Sequence, residues 1–118
     1  MSKHLELGKA GEEQAHAYLR GKGHVLLEIN YRFGHKEVDV ISLSGDILVF
    51  TEIKTRSSYA LGFPEEAVHE RKQQWLKATA EHYCLQYPSY EKLRFDVISI
   101  LLQHGRVIEL LHFEDAFY

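Results

Sequence analysis

The chain has one cysteine, Cys84, so no internal disulfide can form. That scarcity points to a reducing compartment, and the cytoplasm is the expected location. Its eight histidines never fall three or four residues apart and form no Cys/His cluster, which argues against a zinc centre. No apolar run approaches the length of a membrane span. The N-terminal MSKHLELGKAGEE has no apolar signal core, so no membrane partner is expected. An excess of positive charge is also missing. Lys and Arg number 14 against 17 Asp and Glu, a net charge of −3, which speaks against sequence-blind coating of nucleic acid. It leaves room for a site in which clustered carboxylates hold a metal and lower the net charge while basic residues elsewhere meet phosphates. Repeats and low-complexity tracts are absent.

What is present is ordinary for a globular domain: 118 residues, 45% hydrophobic and 26% charged. That is enough chain for one packed core and not for two, so residues 1–118 are read as a single domain. The first element is helical, from Leu5 to Arg20, ending before Gly21 and Gly23. Its stripe of Gly8, Gly11/Glu12, Ala15 and Tyr18/Leu19 has helical spacing. Small residues there would let the helix lie close to a sheet, with Glu12 pointing inward; the neighbouring Glu13 is the competing choice.

A strand follows in HVLLEINYRF, where Val25, Leu27, Ile29, Tyr31 and Phe33 alternate. Gly34-His35 and Gly45-Asp46 read as two-residue type II′ turns. They bound a second strand, Lys36 to Ser44, and begin a third, Ile47 to Thr55. Residues 55–63 have no periodicity and read as a mobile loop in which Tyr59 and Phe63 are candidates for stacking on bases. Pro64 suits the first position of a second helix that runs to Leu85, with Lys72, Trp75/Leu76, Thr79 and Tyr83 on one stripe. Trp75 and Tyr83 are read as core. KLRFDVISILL is a further strand, with Arg94 or Asp96 in a structural role. Gln103 to Arg106 turn the chain, and VIELLHF is the last strand. The tail FEDAFY is apolar enough to dock on the body or on a second copy. The class is therefore α/β, with a mixed central sheet flanked by helices in the order αβββαββ and the fourth strand parallel to the third.

Charge inside the apolar strands is the strongest signal. Glu52-Ile53-Lys54 lies in LVFTEIKTR, and Asp39 lies in KEVDVIS. Charged groups in such runs are costly unless compensated. The turn assignment sets a register in which Asp39 faces Glu52, Glu37 faces Lys54, Asn30 faces Asp39 and Arg32 faces Glu37. Strict alternation sends all six side chains to one face. Opposed carboxylates destabilise a plain sheet, and a divalent cation between them removes the conflict. Mg²⁺ (or Mn²⁺) held by Asp39 and Glu52, with Glu12 as a third carboxylate, suits phosphodiester hydrolysis. Lys54 is then placed to position the attacking water, promote its ionisation or neutralise the transition state, and the residues leave these open. Arg32, Arg56 and Lys72 are candidates for binding the nucleic-acid backbone. Each also has a plainer reading: a cross-strand salt bridge, a surface arginine at a strand end and a snorkelling lysine.

Asp39 and Glu52-Ile53-Lys54 on a hairpin, after a helix carrying Glu12, resemble the PD-(D/E)xK nuclease superfamily. Nearly the whole chain resembles the YraN-like family of small bacterial proteins classed as endonucleases by fold and motif. The matching segments are GKAGEEQAHAYL, NYRFGHKEVDVI, LVFTEIKTR, GFPEEAVHERKQQWL and RFDVISI. The resemblance implies a restriction-endonuclease-like fold and catalytic or metal roles for Glu12, Asp39, Glu52 and Lys54. In related sites the carbonyl of the middle residue, here Ile53, joins the metal shell. A further similarity to archaeal Holliday-junction resolvases implies DNA, branched or under repair, as the substrate. Val38 stands where the superfamily name has proline, and Lys36 where the family commonly has glycine. The alternatives are a nuclease fold that grips nucleic acid without cutting it, and a structural adaptor with neither activity. A homodimer is conceivable and not implied.

Overall fold

The structure is a computed structural model that describes residues 3–60 and 70–117. Helix α1 (Lys3–Gly21) is followed by strands β1 (Val25–Phe33), β2 (Lys36–Ser44) and β3 (Ile47–Arg56). Helix α2 (Glu70–Gln86) and strands β4 (Lys92–Gln103) and β5 (Arg106–Phe117) complete the order αβββαββ. The expected helix start at Pro64 and the loop residue Phe63 lie outside the described residues. No helix among the described residues is long and apolar enough to cross a membrane.

The turns carry the expected chemistry. Gly34 and Gly45 take φ of 65° and 61°, and His35 and Asp46 stay out of the left-handed region, the pattern of type II′ loops. The five strands stand in the order β1-β2-β3-β4-β5. Only β3 and β4 are parallel; such a pair needs a long crossover, and α2 lies within it.

Each face of the sheet has its own core. Ala15 and Leu19 of α1 pack with Val40, Ile53, Ile98, Ile100 and Leu102. Leu76, Ala80 and Tyr83 of α2 pack with Val38, Ile41, Leu48, Phe50, Phe95, Val97 and Phe117. The small-residue stripe of α1 does what its composition promised. A Cβ on Gly11 would overlap the Thr55 hydroxyl and lie 2.6 Å from Thr55 Cβ, so glycine sets the close approach of α1 to β3.

Strict alternation fails at two places in β1 and β2. Val38 belongs to the α2-side core and Val40 to the α1-side core, although two residues apart in a regular strand share a face. The ladder with β1 keeps step across this point, from Tyr31↔Val38 to Ile29↔Val40. The opposing Asn30 takes a φ of 53°, a left-handed conformation that asparagine tolerates. Both strands therefore kink together at Asn30 and Asp39. A second irregularity lies between Leu26 and Glu28. Leu27 and Tyr31 reach the α2-side core while Val25 and Ile29 stay exposed. The expected single apolar face of β1 and the single face for six charged and polar side chains are corrected by these kinks.

β5 runs further than the expected VIELLHF, through Glu114, Asp115 and Ala116 to Phe117. Phe117 stacks on Phe95 with centroids 5.1 Å apart, so this end of the chain docks on the body. A buried polar knot secures it. Asp96, with 0% exposure, accepts hydrogen bonds from Arg94 Nε at 2.8 Å and Nη2 at 2.9 Å. It also accepts from the Asp115 amide at 3.1 Å and pairs with His112 Nε2 at 2.7 Å. His112 Nδ1 lies 3.0 Å from the Tyr18 hydroxyl, which ties α1 to the same knot. Burial alone would raise the Asp96 pKa; the bonds from His112 and Arg94 outweigh it and hold the carboxyl below its ordinary value.

Candidate metal and phosphate site

The β2–β3 ladder follows the register set by Gly45-Asp46, from Ser44↔Ile47 to Val40↔Thr51. The ladder stops one pair short of Asp39 and Glu52. At the kink the Asp39 side chain takes over the role of a backbone acceptor: its Oδ2 accepts the Ile53 N–H at 2.7 Å. This is how the sheet accommodates two carboxylates that a regular ladder would set face to face.

Glu52 follows Leu48 and Phe50 on the α2 face of β3 and is 4% exposed. Its Oε1 is held by Lys72 Nζ of α2 in a close ion pair. Its Oε2 is buried with no hydrogen-bond partner among the described residues. Burial, and then the charge of Asp39 beside it, push the Glu52 pKa up to about 7 against the pull of Lys72. Burial raises the Asp39 pKa too, opposed by the Ile53 amide and by Lys72. The two acids thus favour one negative charge over two, the behaviour of carboxyls sharing a site.

On the other side of β3, Gly8, Glu12, Ile53, Lys54 and Thr55 line an open cleft of about 160 Å³. Glu12 faces it while Glu13 is exposed to solvent, which decides between the two. Burial, then Asp39 and Glu37, raise the Glu12 pKa, so Glu12 feels the charge of Asp39. Lys54 borders the cleft and is exposed, but it alternates with Ile53 and Thr55 on β3, so its side chain leaves on the Glu52 face. Asp39 at the kink therefore links the cleft under α1 to the Glu52–Lys72 pair under α2.

The donor chemistry fits a hard divalent cation. Mg²⁺ binds through one or two carboxylates and keeps most of its waters, and an unpaired buried carboxylate oxygen beside a second carboxyl is such a donor set. The expected third carboxylate does not join that pair. Among the described residues, no three His, Cys, Asp or Glu side chains converge closely enough to hold a metal ion.

The other expected site residues are spread around this centre. Lys72 neutralises Glu52 instead of standing open to a phosphate. Arg32 pairs with Glu37 across the strands, Nε to Oε2 at 3.6 Å, in solvent; such pairs contribute little. Arg56 ends β3, half-buried, opposite Leu101 of β4. Tyr59 donates its hydroxyl to Glu109 of β5. Two residues were misjudged or passed over by sequence reasoning. Trp75 is 41% exposed, not core, because its neighbour Leu76 takes the inward position on α2. Ser99 lies opposite Lys54 in the parallel ladder, buried, with a hydroxyl that has no partner among the described residues. The alternation of RFDVISI was the signal that would have turned it to the Glu52 side.

Comparison with known proteins places the chain in a family over nearly its whole length. Residues 11–100 match the model of a family described as uncharacterised, UPF0102. A UPF0102 protein of Dictyoglomus thermophilum is 40% identical over 114 residues, covering 95% of this chain and 97% of the relative. One from Christiangramia forsetii is 41% identical over 119 residues, with 100% and 98% covered. One from Rhodococcus opacus is 37% identical over 125 residues, with 99% and 100% covered. The chain belongs to the uncharacterised protein family UPF0102, the YraN-like family that its motifs resemble.

Proposed function

We propose that this protein is a Mg²⁺- or Mn²⁺-dependent endonuclease that hydrolyses phosphodiester bonds in nucleic acid, with DNA as the favoured substrate. The observation that carries the reading is the pair of a buried Glu52 and a half-buried Asp39, with an unpartnered Glu52 oxygen, built at the kink. A bound divalent cation would supply charge neutralisation at the scissile phosphate. Asp39 and Glu52 would hold it. Lys72 fixes Glu52 through Oε1 and leaves Oε2 available. Lys54, two residues after Glu52 on the same face of β3, would stabilise the charge that develops on a phosphate held at the acid pair. Glu12, with a raised pKa, is suited to accept a proton from an attacking water in the cleft.

A second reading has its own support. The lack of a third converging ligand among the described residues favours a module that binds nucleic acid without cutting it. One assay separates the two. Purified protein is incubated with Mg²⁺ or Mn²⁺ and single-stranded, duplex, flap and four-way DNA, beside Glu52→Ala and Lys54→Ala. Metal-dependent cutting by the native chain, reduced at least about 100-fold in both variants, is the expected outcome. Tight binding with no product in either metal would establish the module instead.

A further inference from the structure

We infer that Trp75 is a stacking platform for an unpaired nucleotide of the substrate strand, with Lys36 as its phosphate partner. This rests on the nucleic-acid reading above and adds a substrate class: strands with unpaired bases next to the cleavage point. Trp75 is the chain's one tryptophan, and it is 41% exposed. It does not serve the core, where Leu76, Thr79, Ala80 and Tyr83 already fill the inward stripe of α2. It sits three residues after Lys72, a spacing that makes two helical side chains neighbours, and Lys72 is the residue that grips Glu52. Lys36 Nζ lies 5.5 Å from the centre of its ring, on the same strand as Asp39. A large exposed aromatic with a cation over it therefore stands one helical turn from the lysine that grips Glu52. Phe33 and His82 extend the surface as a stacked pair, with centroids 4.2 Å apart. A cation–π contact at an exposed site is weak, so Lys36 can exchange the ring for a backbone phosphate while a base takes the ring face. Stacking of this kind tolerates any base, because every base has a π-face. A paired base inside a duplex cannot offer that face.

The sole tryptophan is its own probe. The full chain is titrated, in metal-free buffer with chelator and at low salt, with an oligothymidine single strand and with a blunt duplex. Tryptophan emission should fall saturably with the single strand and hold steady with the duplex. By anisotropy of a labelled strand, Trp75→Ala should bind the single strand about tenfold more weakly and the duplex within about twofold of the native chain. Lys36→Gln should flatten the salt dependence of single-strand binding by about one phosphate contact. The inference is overturned if the strand binds and emission does not move, if the blunt duplex quenches equally, or if no strand binds at all. Because no metal is present, the outcome is separate from cleavage: quenching without any cutting activity would remove the nuclease reading and leave this one standing.

Discussion

Glu52 is where the chain's chemistry and its stability pull in opposite directions. Its carboxyl is protonated more readily in the folded protein than in the unfolded chain, with a folded pKa of about 7 against an ordinary 4.5. Between those values the folded state binds the extra proton, so stability must fall as pH rises through the window. The full shift corresponds to roughly 3 kcal/mol. In metal-free buffer, urea midpoints measured from pH 4.5 to 7.5 should therefore decline. Glu52→Gln, which has no proton to lose, should flatten that slope, and added Mg²⁺ should reverse the decline in the native chain alone. His16 and His24, whose pKa values burial lowers, act with the opposite sign in this window, so the difference between the two proteins is the readout: a Glu52→Gln profile parallel to the native one would show that Glu52 is not the perturbed group. At this scale the sequence was partly legible. Asp39 and Glu52 stood out because a carboxylate in an apolar strand needs a reason. The hold of Lys72 on Glu52 did not, because it depends on where α2 lands on the sheet. Trp75 was misread because it and Leu76 are adjacent on the helix and only the docking angle decides which turns inward.

At the scale of elements, the hairpin turns were legible from Gly34 and Gly45, and so was the register they impose on β2 and β3. The joint kink at Asn30 and Asp39 was not, since an alternating pattern carries no mark of a left-handed asparagine opposite an aspartate. The approach of α1 was foreseen from its small residues, and Gly11 tests it. Alanine there gains up to about 1 kcal/mol of helix propensity and loses about 1–3 kcal/mol to overlap with Thr55. Gly11→Ala should come out slightly destabilised, and Gly11→Val, which adds bulk without the propensity gain, clearly so. Denaturant midpoints for the pair give the comparison; a Gly11→Val protein as stable as the native chain would mean that α1 does not need this close approach.

For the whole molecule, the parallel β3–β4 pair followed from the element order and its β-α-β crossover. The knot around Asp96 did not, because Tyr18, Arg94, His112 and Asp115 meet only after α1, β4 and β5 are assembled. Its pH sign is opposite to that of Glu52. Asp96 has a lowered folded pKa, so its contribution is present above the ordinary carboxylate range and is lost as pH falls through the folded value. Asp96→Asn leaves the partly buried Arg94 without its counter-charge and should cost about 3 kcal/mol. Circular-dichroism melts at pH 7 should show this loss, and melts near pH 3 should show a smaller gap between variant and native chain. The two effects bracket the molecule: acid loosens the end of β5, while neutral pH loads the kink with a second negative charge.

The two halves of the acid site come from different parts of the chain. Both carboxylates are supplied by the β2–β3 hairpin, whereas their nearest cation arrives on α2, beyond a long crossover. Lifting α2 would take the charge of Lys72 away from Asp39 and Glu52 and leave their mutual repulsion to the Ile53 amide alone. Protonation of this hairpin and seating of the helix are therefore one equilibrium viewed from its two ends, and a proton titration of Glu52 doubles as a gauge of how firmly α2 is docked.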